Sequence, residues 1–328
     1  MKKIKYIALV LIFLFAASPL LTSCDATDKD KLQVYASIYP LYFLAESIGG
    51  EKAQVYSVLP WGGSAHGYEP SLRQSGRMRQ ADILILIGAG MEEWGENFIA
   101  SLEKGSYSYF DKEGNNLTEG LLIVDTSRDI NLILGGEAHE EEEDKEEHHG
   151  LYDAHTWTSI KNMREMAQSI YTAFVLKDAQ NESYYNENFQ AVDAALLELE
   201  QEYQSALSPY SGKSIVVSHK AFTYLCADYG LNQIPVQISS EQTAGLAQIA
   251  QIVEIVMEQN ITALFWDNAS STSQFLLRIK EEAAKKGRAL TIETLYPCET
   301  LSKDKIDEGE NYLSLMRANL QALLRSFA

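Results

Sequence analysis

Short apolar runs alternate with amphipathic segments along most of the chain, which predicts parallel β-sheets covered by helices. The run at 83–87 contains only isoleucine and leucine, the pattern of a strand that a parallel sheet buries on both faces. The first half also predicts strands at 34–38, 55–59 and 121–124, and helices at 40–47, 71–79, 91–102 and 160–175. This half is therefore predicted to form one α/β lobe.

The stretch 181–207 follows a different pattern. Apolar residues recur there at helical spacing, and neither glycine nor proline interrupts them before Pro209. A continuous helix of this length would span about 40 Å at 1.5 Å per residue. We predict a rigid helix that links two lobes; the alternative is an amphipathic helix packed on one lobe alone.

The second half of the chain repeats the alternation of the first. It predicts strands at 215–218, 235–238, 263–266 and 290–292, and helices at 220–229, 244–258, 274–286 and 312–324. A length of 328 residues also favours two domains. The predicted fold class is α/β, with two similar (βα)4-type lobes that contain parallel sheets. The N-terminal lobe is expected at 33–180, the linking helix at 181–207 and the C-terminal lobe at 210–328.

The N-terminus has the pattern of an export signal at residues 1–24. Three lysines within the first five residues precede an apolar segment at 7–17, which is too short for a transmembrane anchor. The sequence Leu-Thr-Ser-Cys that ends at Cys24 resembles the lipobox of bacterial lipoproteins, in which the cysteine is lipidated and becomes the new N-terminus. Cys226 and Cys298 could pair in an exported protein, and the sequence leaves that pairing open.

The charge of the chain is strongly negative. The formal net charge is −19, and removal of residues 1–23 takes away three lysines and no acid, which leaves −22. This balance argues against nucleic acid as a partner and suits the binding of cations.

The most acidic segment, 137–149, also contains half of the six histidines of the chain. A segment with this much negative charge cannot be buried in a protein core, so we predict a solvated loop. His139, His148 and His149 in this loop are candidates for weak, auxiliary metal capture.

The other three histidines, His66, His155 and His219, follow predicted strands. In open α/β sheets, ligands bind outside the carboxyl ends of the strands, and two facing lobes would bring these loops together. Three imidazoles suit zinc, whose fourth tetrahedral position would take a carboxylate or a water. A metal site at the lobe interface is therefore predicted.

Four motifs now define a resemblance. They are His-Gly-Tyr-Glu-Pro at 66–70, Asp-Ala-His-Thr-Trp at 153–157, Ser-His-Lys-Ala-Phe-Thr-Tyr at 218–224 and Tyr-Leu-Ser-Leu-Met-Arg-Ala-Asn at 312–319. In this order and spacing they resemble the zinc/manganese-binding lipoproteins that feed bacterial ABC importers, in particular the zinc-binding branch. The resemblance runs from about residue 33 to the C-terminus. It implies one metal between two lobes, with His66 and His155 from the first lobe and His219 and an acid from the second.

The fourth ligand has four candidates: Glu299, Asp267, Glu241 and a water. Glu241 is explained more simply as a charge at a helix N-terminus. Asp267 ends a predicted strand, at the edge of the sheet where a ligand could lie. Glu299 precedes the closing motif at about the distance of the family's metal-binding acid, so the resemblance favours Glu299. One carboxylate with three neutral imidazoles also leaves a Zn²⁺ site of charge +1, which is easier to bury than a +2 site completed by water.

The sequence thus predicts an extracytoplasmic, membrane-anchored lipoprotein that captures Zn²⁺ and delivers it to the membrane permease of an ABC importer. We expect a monomer that binds no nucleic acid and catalyses no reaction. The first alternative is a manganese-binding importer component, although members that prefer Mn²⁺ generally have a carboxylate in place of His219. A zinc hydrolase is a weaker alternative, because the chain has no His-Glu-x-x-His helix. A binding protein for an organic ligand is supported only by 18 tyrosines and 4 tryptophans.

Overall fold

The computed structural model describes residues 30–115, 117–135, 151–236, 242–267 and 273–328. The first sheet has the strand order β2-β1-β3-β5-β4 and the second has the order β7-β6-β8-β9. All neighbouring strands in both sheets are parallel. The strands are β1 (Leu32–Ala36), β2 (Ala53–Ser57), β3 (Ile83–Leu86), β4 (Tyr107–Tyr109), β5 (Leu121–Asp125), β6 (Ser214–Val217), β7 (Asn232–Pro235), β8 (Ala263–Trp266) and β9 (Thr291–Thr294).

Helices connect these strands and cover the sheets, so the predicted α/β class with two parallel lobes is confirmed. The helices are α1 (Tyr39–Gly49), α2 (Leu72–Met78), α3 (Glu93–Ala100), α4 (Ile160–Lys177), α5 (Glu182–Leu207), α6 (Thr223–Tyr229), α7 (Gln242–Glu258), α8 (Ser273–Lys285), α9 (Lys303–Asp307) and α10 (Tyr312–Phe327). Among the described residues, none of the helices is both long and apolar enough to cross a membrane.

Each sheet begins at an inner strand, adds a neighbour on one side, and then crosses to the other side. In the first sheet β1 lies between β2 and β3, and in the second β6 lies between β7 and β8. Such a reversal of strand order opens a crevice at the carboxyl ends of the strands, where ligands bind in open α/β sheets. The fold therefore provides one such edge in each lobe.

The predicted long helix is confirmed as α5, and it contacts both lobes. It packs against α1 and α4 of the first lobe and against α6 and α10 of the second. Its buried side chains recur at helical spacing: Tyr185, Phe189, Val192, Leu196, Leu199, Tyr203 and Leu207. They belong to one hydrophobic cluster that also contains strand residues of both sheets. The two lobes thus share a core, and α5 is an integral part of it.

Three elements differ from the sequence prediction. The first sheet has a fifth strand, β4, at its edge, and α9 was not predicted. Strand β7 begins before the predicted 235–238 and ends at Pro235, whose missing N–H would face away from β6 at the edge of the sheet. Both Cys226 and Cys298 are buried free thiols, so the possible disulfide is absent. The predicted signal at 1–24 and the acidic loop at 137–149 lie outside the described residues.

Candidate metal site

The structure brings His66, His155 and His219 together. One ring nitrogen of each lies within 4.8 Å of the others. The centroid of the His155 ring is 5.9 Å from that of His66 and 4.9 Å from that of His219, and the rings of His66 and His219 are 5.3 Å apart. His155 is buried, His219 is partly buried and His66 is exposed. The cluster therefore has one side open to solvent.

His66 lies on the loop between β2 and α2. Two glycines of this loop, Gly62 and Gly67, have φ values of 75° and 67°, in the left-handed region that disfavours a side chain. The N–H of Gly62 donates to Thr300 Oγ1 at 2.9 Å, which ties the loop to the second lobe. The loop ends where Ser71 caps α2 by accepting a hydrogen bond from the N–H of Gln74.

His155 lies in a buried turn that leads into α4. Asp153 Oδ1 accepts the backbone N–H of His155 at 2.9 Å and lies 2.8 Å from His155 Nδ1. Burial opposes ionisation of Asp153, but its hydrogen bonds with His155, the charge of the imidazole and the nearby Thr223 side chain hold the pKa below its usual value. The turn is closed by Thr158, whose hydroxyl donates to the carbonyl of His155 at 2.9 Å.

His219 lies two residues after the end of β6, at the carboxyl end of the strand. Its Nδ1 lies 3.4 Å from Oδ2 of Asp267, which follows β8 in the same sheet. Burial lowers the pKa of His219, but a hydrogen bond to Asp267 and the negative charges of Glu299, Asp267 and Asp153 outweigh it and raise the pKa. The backbone N–H of Asp267 donates to Ser218 Oγ at 3.0 Å, which links the two strand ends.

Glu299 is buried on the loop after β9, with 4% of its surface exposed. Its carbonyl accepts the N–H of Tyr39 at 3.1 Å, so this loop contacts the first lobe. Burial raises the pKa of the carboxyl, and the charge of Asp267 adds to that rise, although His219 and the backbone N–H of Ala65 oppose it. Among the described residues, no hydrogen-bond partner reaches Glu299 Oε2. A buried oxygen of this kind is costly unless a cation or a donor satisfies it.

The acidic candidates for the fourth ligand that the structure describes differ in where they lie relative to the histidine cluster. Neither Glu299 nor Asp267 belongs to the described group of ligand atoms that lie within 4.8 Å of one another. Asp267 is engaged with His219, whereas Glu299 lies beside the His66 loop and close enough to His219 for a charge interaction. Glu241 lies outside the described residues, as do His139, His148 and His149.

Sequence reasoning missed the role of Asp153, although Asp153 lies in a motif that carried the resemblance. The available signal was its position two residues before a histidine, where a short side chain can fold back onto its own backbone. Three buried carboxylates, those of Asp153, Asp267 and Glu299, thus surround three imidazoles. Nitrogen donors within a negative surrounding suit a divalent cation such as Zn²⁺.

Two parallel α/β lobes that share a core and gather three imidazoles from both lobes define a two-lobed metal-binding protein. The family described as "ZnuA: Zinc-uptake complex component A periplasmic" has a model that matches residues 34–326. The chain belongs to this family.

Individual relatives agree with this assignment. The chain is 27% identical over 322 residues to the zinc-binding lipoprotein AdcA of Streptococcus pneumoniae, covering 97% of this chain and 60% of AdcA. It is 27% identical over 306 residues to the high-affinity zinc uptake system protein ZnuA of Bacillus subtilis, covering 92% of this chain and 90% of that protein. The chain thus spans about 60% of the length of its AdcA relatives.

A solved structure agrees with the fold. The Zn(II)-bound ZnuA-like domain of Streptococcus pneumoniae AdcA superposes with a TM-score of 0.71 at 25% identity. The match covers 90% of this chain and 98% of that domain. The two-lobed fold is therefore shared over nearly the whole of the related domain.

Proposed function

We propose that this chain is the extracytoplasmic zinc-binding component of an ABC importer, which captures Zn²⁺ and delivers it to a membrane permease. The observation that carries the proposal is the meeting of His66, His155 and His219 within 4.8 Å, with ligands from both lobes. The names of the relatives, a zinc-binding lipoprotein and a zinc uptake protein, support it. We expect capture and release by a monomer, without turnover.

Zinc is favoured over manganese by the donor atoms. Three imidazole nitrogens suit Zn²⁺, whereas Mn²⁺ prefers carboxylate, carbonyl and water oxygens. His219 contributes one of the nitrogens from the second lobe. Mn²⁺ should therefore bind, if at all, more weakly than Zn²⁺.

Glu299 is proposed as the fourth ligand. Its Oε2 is buried and has no hydrogen-bond partner among the described residues, and its carboxyl lies near His219. Coordination of Zn²⁺ would satisfy this oxygen and leave a site of charge +1. Because Glu299 lies outside the histidine group, zinc binding should draw its loop inward, a small local change.

The acidic loop at 137–149 is proposed to act only as an accessory. Its exposed carboxylates and three histidines would offer weak, adaptable coordination that raises the chance of capture at low zinc. The tight site would not need them, because its proposed ligands lie elsewhere in the chain.

The first prediction tests the shared site. Free Zn²⁺ at 100 times Kd should add about 2.7 kcal/mol to the free energy of unfolding, because the ion binds only the native state. His66→Ala and His219→Ala should each remove most of the resulting rise in unfolding temperature, although these residues come from different lobes. The measurement is thermal unfolding with and without Zn²⁺.

A matched control is Lys213→Ala, since Lys213 is exposed and directly precedes β6, at the opposite end of that strand from His219. It should keep the full zinc-dependent rise. If either histidine variant also keeps the full rise, the two-lobe site is wrong. If wild type gains no stability from Zn²⁺, the proposed function itself is wrong.

Membrane anchoring is proposed to depend on Cys24. The relatives named as lipoproteins and the lipobox-like sequence support it. Cys24→Ala should block maturation or move the protein from the membrane fraction to the soluble fraction, because the lipidated side chain is lost. Fractionation and immunoblotting would check this. A Cys24→Ala protein that matures and stays membrane-bound through the same N-terminus would contradict it, and Cys226→Ala provides the control.

A further inference from the structure

Asp153 makes an unusual double contact with His155. Oδ1 of Asp153 accepts the backbone N–H of His155 and also lies 2.8 Å from the ring Nδ1. Both residues are almost fully buried, with 6% of the surface of Asp153 and 4% of that of His155 exposed. Water therefore competes poorly for either contact, which makes the pair a strong orienting interaction.

An ionised carboxylate only accepts hydrogen bonds, so its contact with Nδ1 requires Nδ1 to carry the proton. In the neutral imidazole, Nε2 then has the free lone pair. The Nε2 atom of His155 is buried in the structure. Because metals bind the neutral ring through its unprotonated nitrogen, Asp153 selects the tautomer that a cation needs.

The second lobe holds Asp153 in place. The hydroxyl of Tyr224, on α6, donates to the carbonyl of Asp153 at 2.8 Å and accepts the N–H of Ile133 at 3.1 Å. Thr223, the first residue of α6, lies close enough to the Asp153 carboxylate for its side chain to help hold the pKa of Asp153 low. The ligand of one lobe is thus oriented by residues of the other.

We propose that Asp153 is a positioning residue, which fixes the tautomer and ring orientation of His155 and, through Tyr224, couples this ligand to the packing of the second lobe. The effect on zinc affinity rests on the proposed function. The tautomer does not, because it is a property of the metal-free protein.

The test compares Asp153→Ala and Asp153→Asn with wild type. Long-range ¹H–¹⁵N NMR spectra of the metal-free protein should show the Nδ1–H tautomer of His155 in wild type and in Asp153→Asn, whose amide oxygen still accepts. Asp153→Ala should show a mixture with the Nε2–H tautomer. Affinity for Zn²⁺, from competition with a chelator, should fall by about 10- to 100-fold in Asp153→Ala. It should fall less in Asp153→Asn.

Asp178→Asn is the matched control, because Asp178 accepts hydrogen bonds from Tyr185 and Asn181 at the start of the linking helix, away from the histidines. It should change neither the tautomer nor the affinity. The Co²⁺-loaded protein should keep the d–d spectrum of wild type in Asp153→Asn, because a positioning residue leaves the ligand set unchanged.

Two results would overturn the proposal: an unchanged His155 tautomer in a folded Asp153→Ala protein, or a Co²⁺ spectrum of Asp153→Asn that indicates a lost ligand. If Asp153→Ala fails to fold, the test is Tyr224→Phe. This variant removes the hydroxyl that reaches Asp153 from α6 and should lower zinc affinity; unchanged affinity would overturn the coupling to the second lobe. Failure of wild type to bind Zn²⁺ would instead overturn the proposed function, with the tautomer result still decisive for Asp153.

Discussion

Glu299→Gln is expected to weaken Zn²⁺ binding by a factor of about 100 to 1,000. A structural zinc site with four ligands gives about 10–16 kcal/mol, or roughly 2.5–4 kcal/mol for each ligand. Glutamine keeps the shape of the side chain and removes the charge that the cation would meet. Competition with a chelator of known zinc affinity would measure the change.

The same variant should not destabilise the metal-free protein. Burial raises the pKa of Glu299, so its ionisation at neutral pH costs folding free energy instead of supplying it. A neutral glutamine avoids this cost. We therefore expect Glu299→Gln to unfold at the same or a higher temperature than wild type without metal, and at a lower temperature with Zn²⁺.

Asp267→Asn is the matched control for Glu299→Gln. Its amide oxygen can still accept from His219 Nδ1, which lies 3.4 Å from Asp267 Oδ2, so zinc affinity should stay within a few-fold of wild type. The reverse pattern would transfer the ligand role to Asp267. No effect from either substitution would favour water in the fourth position.

The sequence predicted the inner strands better than the edge strands. β3 is isoleucine and leucine throughout and entirely buried, because a central parallel strand has neighbours on both faces. β4 is Tyr-Ser-Tyr, with Tyr109 exposed, and at the edge of the sheet it needs no apolar run. For the same reason the observed β7 differs in position from the predicted strand: its four residues are only partly buried or exposed. Edge strands are defined by their single partner, which local sequence does not specify.

The site was predictable to the extent that the residue type determines the chemistry. Histidines after strands predicted His66, His155 and His219, and the structure gathers them. Hydrogen bonds across long sequence separations were not predictable. The contact between Trp157 and Pro297 spans 140 residues, and that between Tyr224 and Asp153 spans 71. Such contacts depend on how two lobes pack, which periodicity in either half does not encode.

Trp157 makes interlobe contacts from a fully buried position. None of the surface of Trp157 is exposed, and its ring centroid is 5.2 Å from that of His155. Its indole N–H donates to the carbonyl of Pro297 at 2.6 Å, two residues before Glu299. Its own carbonyl accepts the hydroxyl of Tyr312 at 2.8 Å. One side chain of the first lobe thus supports a proposed ligand on each side of the interface.

Trp157→Ala is therefore expected to lower the free energy of unfolding by about 3–5 kcal/mol, because it leaves a large cavity in the shared core. Trp157→Phe should cost less, about 1–3 kcal/mol, since it fills much of the space but leaves the buried Pro297 carbonyl without its donor. Denaturant unfolding of the metal-free protein would give both values.

Measuring zinc affinity distinguishes two roles of Trp157: filling the shared core, and holding the two ligand loops together at the interface. Phe174→Ala is the control, because Phe174 is equally buried but packs against Tyr185 at the far end of the linking helix. Trp157→Ala and Phe174→Ala should lose similar amounts of unfolding free energy. Only the Trp157 variants should also bind Zn²⁺ more weakly when folded, because only they release the His155 loop from the Glu299 loop. Equal zinc affinity in folded Trp157→Phe and wild type would show that the two loops are held in place independently of the indole.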